Sequence, residues 1–145
     1  MWAYFDASAL VKRYVEEAGR REVLRLLRRH NVVTSAILPV ELRSALRRRV
    51  SEGSLDEDRV SEILKHIASD RAFWALVEVR SDVLAAAEGL VATHPLRALD
   101  AIHVASAQVF AGRVTGSELV FVSADARQIT TAAAVGMAIR HIRSG

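Results

Sequence analysis

Short apolar runs alternate with longer stretches of helical periodicity along the whole chain, and this alternation limits the fold more than any other feature. The short runs are Trp2–Phe5, Val32–Thr34, Leu76–Val79, Leu119–Ser123 and Met137–Ile142, all read as strands. Between them, Leu10, Val11, Tyr14 and Val15 give Ser8–Glu17 helical spacing, which Gly19 breaks. Val23, Leu24, Leu26 and Leu27 do the same for Arg20–Arg29. Pro39 suits the first turn of a helix that carries Glu41, Leu42, Ala45 and Leu46 and stops near Gly53. Further helices are expected over Asp56–Ser69, Asp82–Ala92, Leu96–Ala111 (opened by Pro95) and Ala126–Val135. Apolar strands alternating with helices imply a mainly parallel sheet covered on both faces, the α/β class. A length of 145 residues leaves room for one core, so residues 1–145 are expected to form a single domain. Ligands of such sheets sit outside the carboxyl ends of the strands, which says where to look for chemistry.

Composition excludes several classes. The chain has no cysteine, which removes a disulfide scaffold, a thiolate zinc site and a cysteine nucleophile, and favours the cytoplasm as compartment. No uninterrupted apolar stretch is long enough to span a membrane, and Met1–Asp6 lacks the features of a signal peptide. The charge balance is mildly basic, 20 Lys and Arg against 17 Asp and Glu, and does not by itself imply nucleic acid. Of the basic residues only Lys12 and Lys65 are lysines. Arginine forks suit phosphates, but the same bias follows from a GC-rich genome or a hot habitat.

Four acids fall where a parallel sheet would gather them. Asp6 ends the first strand, Glu41 and Asp100 each lie one turn into a helix, and Asp125 follows the run Leu119–Ser123. Each also has a structural reading. Asp6 can cap a helix, Asp125 with Gln128 three residues later resembles a capping box, and Glu41 suits the positive start of its helix. Asp100 lies in a helix that is apolar on nearly every face, where an aspartate needs a partner, and Arg97 three residues earlier is available. Taken together, several carboxylates at one sheet edge repel one another unless protonated or joined by a cation. An oxygen-only donor set points to a hard ion, Mg²⁺ or Mn²⁺, and such ions serve phosphodiester hydrolysis.

The segments Tyr4–Lys12 (YFDASALVK), Val40–Leu46 (VELRSAL), Leu96–Ala107 (LRALDAIHVASA) and Phe121–Asp125 (FVSAD) resemble, in order, the acidic motifs of PIN domains. The third is the most specific, and Ala134–Met137 fits the usual helix-to-strand ending. At this length the chain is similar to VapC-type toxins, the ribonuclease half of toxin–antitoxin pairs. The resemblance implies a three-layer α/β/α sandwich and a Mg²⁺- or Mn²⁺-dependent ribonuclease whose metal acids map onto Asp6, Glu41, Asp100 and Asp125. It also implies an RNA substrate, a homodimer, and a VapB-type antitoxin whose tail covers the active site. Ser123 stands where many members carry threonine. Ala126 and Arg127 follow Asp125 where some carry a further acid, which counts against a second metal.

The mechanism expected is in-line attack on phosphorus by a water activated at the metal that Asp6 and Asp100 hold, with Glu41 or Asp125 assisting directly or through water. Ser8 and Ser123 would orient water or phosphate, or only cap. Arg97 and His94 would contact substrate phosphate, unless Arg97 tethers Asp100 and His94 is a plain loop residue. His103 reads as a satisfied core histidine. The arginines at 20, 21, 25, 28 and 29, and those at 43, 47, 48 and 49, are either an RNA track or a solvated face. The stripe Val60, Ile63, Leu64 and Ile67, with Leu55, is either core or a surface for a second subunit or an antitoxin. Among other enzymes, a haloacid-dehalogenase-like phosphatase needs an aspartate where Ser8 stands, and a receiver domain needs a late lysine, absent after Lys65. A PIN nuclease of RNA processing and a non-catalytic RNA-binding module remain as alternatives.

Overall fold

The computed structural model describes residues 1–114, 116 and 118–143. Strands β1 (Trp2–Phe5), β2 (Asn31–Ser35), β3 (Ala75–Val77), β4 (Leu119–Ser123) and β5 (Ala138–His141) form one sheet in the order β3-β2-β1-β4-β5. Every neighbouring pair is parallel. The α-helices among the described residues are α1 (Ala7–Leu10), α2 (Arg20–Arg29), α3 (Leu38–Ser51), α4 (Glu57–Arg71), α5 (Ser81–Thr93), α6 (Ala98–Arg113) and α7 (Ala126–Ala134).

Alternation along β1 divides the core in two, because successive side chains of a strand point to opposite faces. Ala3 and Phe5 pack with Leu10, Val23, Leu42 and Ile63 from α1 to α4. Tyr4 packs on the other face with Val83, Leu90, Val104 and Ile129 from α5, α6 and α7. The result is the three-layer α/β/α sandwich. Each fully buried leucine or valine contributes about 1.5–3 kcal/mol, so both layers are firmly held to the sheet.

Most expected elements stand within two residues of their expected limits, and the differences have local causes. The helix expected over Ser8–Glu17 is the short α1 followed by a 3₁₀ turn, Val11–Arg13. It ends early because the buried Lys12 folds back: its Nζ donates to Glu17 Oε1 (3.1 Å) and to the Ala18 carbonyl (2.8 Å). The chain then reverses at Gly19, whose φ of +92° is left-handed. A Cβ there would lie 2.5 Å from Ile142 Cγ2 and 2.9 Å from the Arg143 carbonyl oxygen, so glycine is also required by close packing against the C-terminal segment. Pro95 does not open α6. It lies ahead of it, and Arg97 is the extended N-cap residue. The stripe of α4 is core: Val60, Ile63 and Ile67 are buried against Leu42 and Leu46, so it is not a free interaction surface.

The 3₁₀ turn is pinned to α4 by charge. Arg13 grips Asp70 with two nitrogens, Nε to Oδ2 at 2.7 Å and Nη2 to Oδ1 at 3.2 Å, and the buried Tyr14 hydroxyl donates to Oδ2 at 2.6 Å. Burial alone would raise the Asp70 carboxyl, but the bonds from Arg13 and Tyr14 outweigh it and hold it below its ordinary value. A carboxyl so lowered stabilises the fold fully above its unfolded value and loses that contribution as the pH falls through the folded one. Asp70→Asn is therefore expected to cost about 1–2 kcal/mol at neutral pH, the range of charge-assisted bonds after solvent screening. The gap to wild type should close on acidification below the ordinary aspartate range, as read by urea unfolding at a series of pH values.

Candidate active site

β1 and β4 are neighbours, but the chain leaves them towards opposite edges, β1 leading to β2 and β4 to β5. A crevice opens where the connections diverge, beyond the carboxyl ends of both strands. The four acids named from the sequence meet there. Asp6, Glu41, Asp100 and Asp125 all line one cleft of ≈ 450 Å³, with Ser8, Arg48, Arg97 and Gln128 also on its walls.

Asp6 is 1% exposed and caps α1 by accepting from the Ala9 N–H at 3.1 Å. The Ser8 hydroxyl is shared between its two oxygens (2.9 and 2.8 Å), and the Ser123 hydroxyl donates to Oδ2 at 3.0 Å. Each serine also accepts a backbone N–H, Ser8 from Ala124 and Ser123 from Asp125, both at 2.9 Å. The two hydroxyls thus tie the end of β1 to the turn after β4, and both serines serve the carboxylate itself. Burial pushes the Asp6 carboxyl above its ordinary value, against the lowering effect of His103, Ser8, the Ala9 N–H and Ser123.

Asp100 lies in the first turn of α6 and is also buried. Arg97 reaches it through Nε at 3.3 Å, but the arginine side chain is 78% exposed, so this bond is weak and the guanidinium remains available at the rim. The stronger link runs through Gln128 of α7. Its Nε2 donates at 3.0 Å to Asp6 Oδ2 and at 3.0 Å to Asp100 Oδ1. The spacing of Gln128 from Asp125 suits the far half of a capping box. Asp125 does cap α7, accepting from the Arg127 and Gln128 N–H groups at 2.8 and 3.1 Å, but the Gln128 side chain turns away from it into the site. Its three-residue offset from Asp125 suits both uses, which is why the sequence did not separate them.

His103 is the satisfied core histidine that the sequence suggests, and its two partners link the core to the cleft. It is 1% exposed, its Nε2 lies 2.6 Å from Glu41 Oε1, and its Nδ1 lies 2.8 Å from the Tyr4 hydroxyl. Both ring nitrogens are therefore engaged, one by the Glu41 carboxyl and the other by the Tyr4 hydroxyl. A chain from the middle of β1 through α6 therefore fixes the Glu41 side chain. His94 stands apart from the cleft: its Nδ1 contacts the Leu90 carbonyl (3.2 Å) and the Thr93 hydroxyl (3.0 Å) at the end of α5.

The basic residues are unequal. Arg49 is held by Glu17 (2.8 Å), which also binds Lys12, and Arg47 by Glu57 (2.6 Å). Arg48 bonds only the Ser44 hydroxyl (3.2 Å) among the described residues and, with Arg97, presents positive charge to the cleft. Among the described residues, no group of three or more acids and histidines is placed to hold a metal ion as it stands. The donors that meet are nonetheless all oxygens, and the two most buried carboxylates are bridged by one amide whose own Oε1, also buried, has no partner. That set fits a hard divalent ion.

The sequence matches the PIN domain family over residues 3–134. No curated protein matches it. Solved structures of similar fold include a toxin–antitoxin complex from Klebsiella pneumoniae, at 19% identity and TM-score 0.58 over 88% of this chain and 89% of that one. FitAcB from Neisseria gonorrhoeae aligns at 15% identity and TM-score 0.61, covering 94% and 95%. FitAB bound to an IR36 DNA fragment aligns at 14% identity and TM-score 0.62, covering 96% and 94%. At these identities the likeness is one of fold.

The Tyr4–His103–Glu41 chain makes a specific demand. His103→Leu leaves the Tyr4 hydroxyl unpaired in the core and frees Glu41, with an expected loss of about 1–3 kcal/mol. The double variant with Tyr4→Phe should lose less than the two single losses added, because the unpaired hydroxyl is gone. Urea unfolding of the four proteins measures the coupling, and additive losses would mean that the chain has no energetic unity.

Proposed function

The chain belongs to the PIN domain family, and on that premise we propose that it is a Mg²⁺- or Mn²⁺-dependent endoribonuclease acting as the toxin of a type II toxin–antitoxin pair. The observation that carries this reading is the meeting of Asp6, Glu41, Asp100 and Asp125 in one cleft at the divergence of β1 and β4. Supporting it, one solved structure of similar fold is described as a toxin–antitoxin complex, and another, FitAB, is described as bound to a DNA fragment. In this reading the partners are RNA, a VapB-type antitoxin whose tail occupies the cleft, and a second copy of the chain, and the compartment is the cytoplasm. No helix among the described residues is long and apolar enough to cross a membrane.

Asp6 and Asp100 would hold the ion, with Glu41 and Asp125 flanking it. When bound, the ion supplies Lewis-acid activation of a water and neutralises charge on the phosphodiester. The protein's own groups do the rest. The Ser8 and Ser123 hydroxyls and the Ala9 N–H fix the Asp6 oxygens, so the carboxylate need not reorganise during reaction. Arg97 and Arg48 at the rim are placed to bind substrate phosphates by two-point contact. Glu41 and Asp125, less buried than Asp6 and Asp100, are the carboxylates able to take a proton from the attacking water. His103 has both ring nitrogens engaged and acts by holding Glu41, as a positioning residue.

Purified, antitoxin-free protein should cut total cellular RNA into discrete fragments with Mg²⁺ or Mn²⁺ and not with EDTA. Asp100→Asn should slow cleavage by about 10²–10³-fold, the cost of removing a group that stabilises developing charge. No cleavage by the folded protein with either ion would overturn the assignment.

A further inference from the structure

The Gln128 side chain lies inside the cleft but has no part in the four-acid reading. It is 3% exposed, so its amide is out of water, and its donors and acceptor must find partners in the protein. The nitrogen has two, Asp6 Oδ2 and Asp100 Oδ1, each at 3.0 Å. The oxygen is buried with none. Turning the amide over would put a carbonyl oxygen between two carboxylates, so the acids dictate its orientation at the expense of its own acceptor. The group is thus held in the site by the carboxylates and supplies the partial positive charge that the pair lacks.

We propose that the Gln128 amide is the placeholder for the divalent ion: its NH₂ bridges Asp6 and Asp100 in the metal-free protein and gives way when the ion binds. The inference rests on the cation reading of the cleft given above. Two oxygens that share one nitrogen at 3.0 Å are at most about 6 Å apart, so a small inward shift brings both to an ion whose oxygen ligands sit at about 2.1 Å. The amide hydrogens and the ion then compete for the same two oxygens. An interaction present only in the metal-free state opposes binding by its full strength, and its removal must raise affinity by the same factor. The arrangement explains how two buried carboxylates are held near each other before any ion arrives. It also sets the threshold of ion concentration at which the site loads.

The test is Mn²⁺ binding by calorimetry, with thermal unfolding in EDTA and in Mn²⁺, on wild type, Gln128→Met and Gln128→Lys. Methionine keeps the approximate volume and removes the amide; lysine makes the placeholder permanent. Gln128→Met is expected to unfold at lower temperature in EDTA, to gain more from Mn²⁺ than wild type, and to bind Mn²⁺ about tenfold tighter. Gln128→Lys is expected to bind Mn²⁺ at least about tenfold more weakly, with no loss of thermal stability in EDTA. It keeps the question answerable if the methionine variant folds only with metal. Unchanged Mn²⁺ affinity in Gln128→Met would show that the amide does not compete. Weaker affinity in Gln128→Met would show that the amide is itself a ligand, which also overturns the proposal. A wild-type protein that binds no Mn²⁺ would defeat the cation reading itself, an outcome distinct from wild type binding with the variants unaltered.

Discussion

Burying the Asp6 carboxylate at the carboxyl end of β1 removes it from water, and the elements around it are then committed to supplying hydrogen. The Ala9 N–H comes from α1, the Ser8 hydroxyl from the same turn, the Ser123 hydroxyl from the end of β4, and the Gln128 amide from α7. Each donor fixes an element. The Ser8 and Ser123 hydroxyls also accept backbone N–H groups after β4, so the two strands that frame the crevice are locked at the point where they diverge. Through Gln128 the same carboxylate is tied to Asp100 and hence to α6. One desolvated charge therefore sets the relative placement of β1, β4, α6 and α7.

The fold was legible because its signals are local. Apolar runs of strand length, Pro39 inside the first turn of α3 and the left-handed Gly53 after it sufficed to place the layers. The site's acids were legible for a related reason: each sits at a fixed offset from a strand end or helix start, so a parallel sheet had to bring them to one edge. What was not legible depends on long-range partners. The early end of α1 follows from Lys12 reaching Glu17 and Ala18, and no propensity encodes that contact. The bridge made by Gln128, and the identity of the partners that satisfy His103, are hidden because Asp6 and Asp100 for one and Tyr4 and Glu41 for the other are distant in sequence. His94 shows the converse: of its two readings the plain loop residue fits, since closeness to the third motif in sequence does not bring it to the cleft.

The arginines also sort once their neighbours are known. A count of basic residues treats Arg47, Arg48 and Arg49 alike, yet Glu57 and Glu17 claim the first and last. Lys12 and Arg49 also line the cleft but are held by Glu17, which leaves Arg48 and Arg97 as a short positive rim around a negative floor. The electrostatic field therefore changes sign between the rim of the cleft and its floor.

The strand order has a consequence for how the protein comes into being. β1 is made first, yet it is the central strand, and one of its two neighbours is β4, more than a hundred residues later. Synthesis proceeds from the N-terminus, so Asp6 emerges long before Ser123, Asp125 and Gln128 exist to surround it. A chain interrupted anywhere before β4 has no crevice, and its first acid keeps only the local donors Ser8 and Ala9. Assembly of the cleft is thus among the last events in the life of the nascent chain.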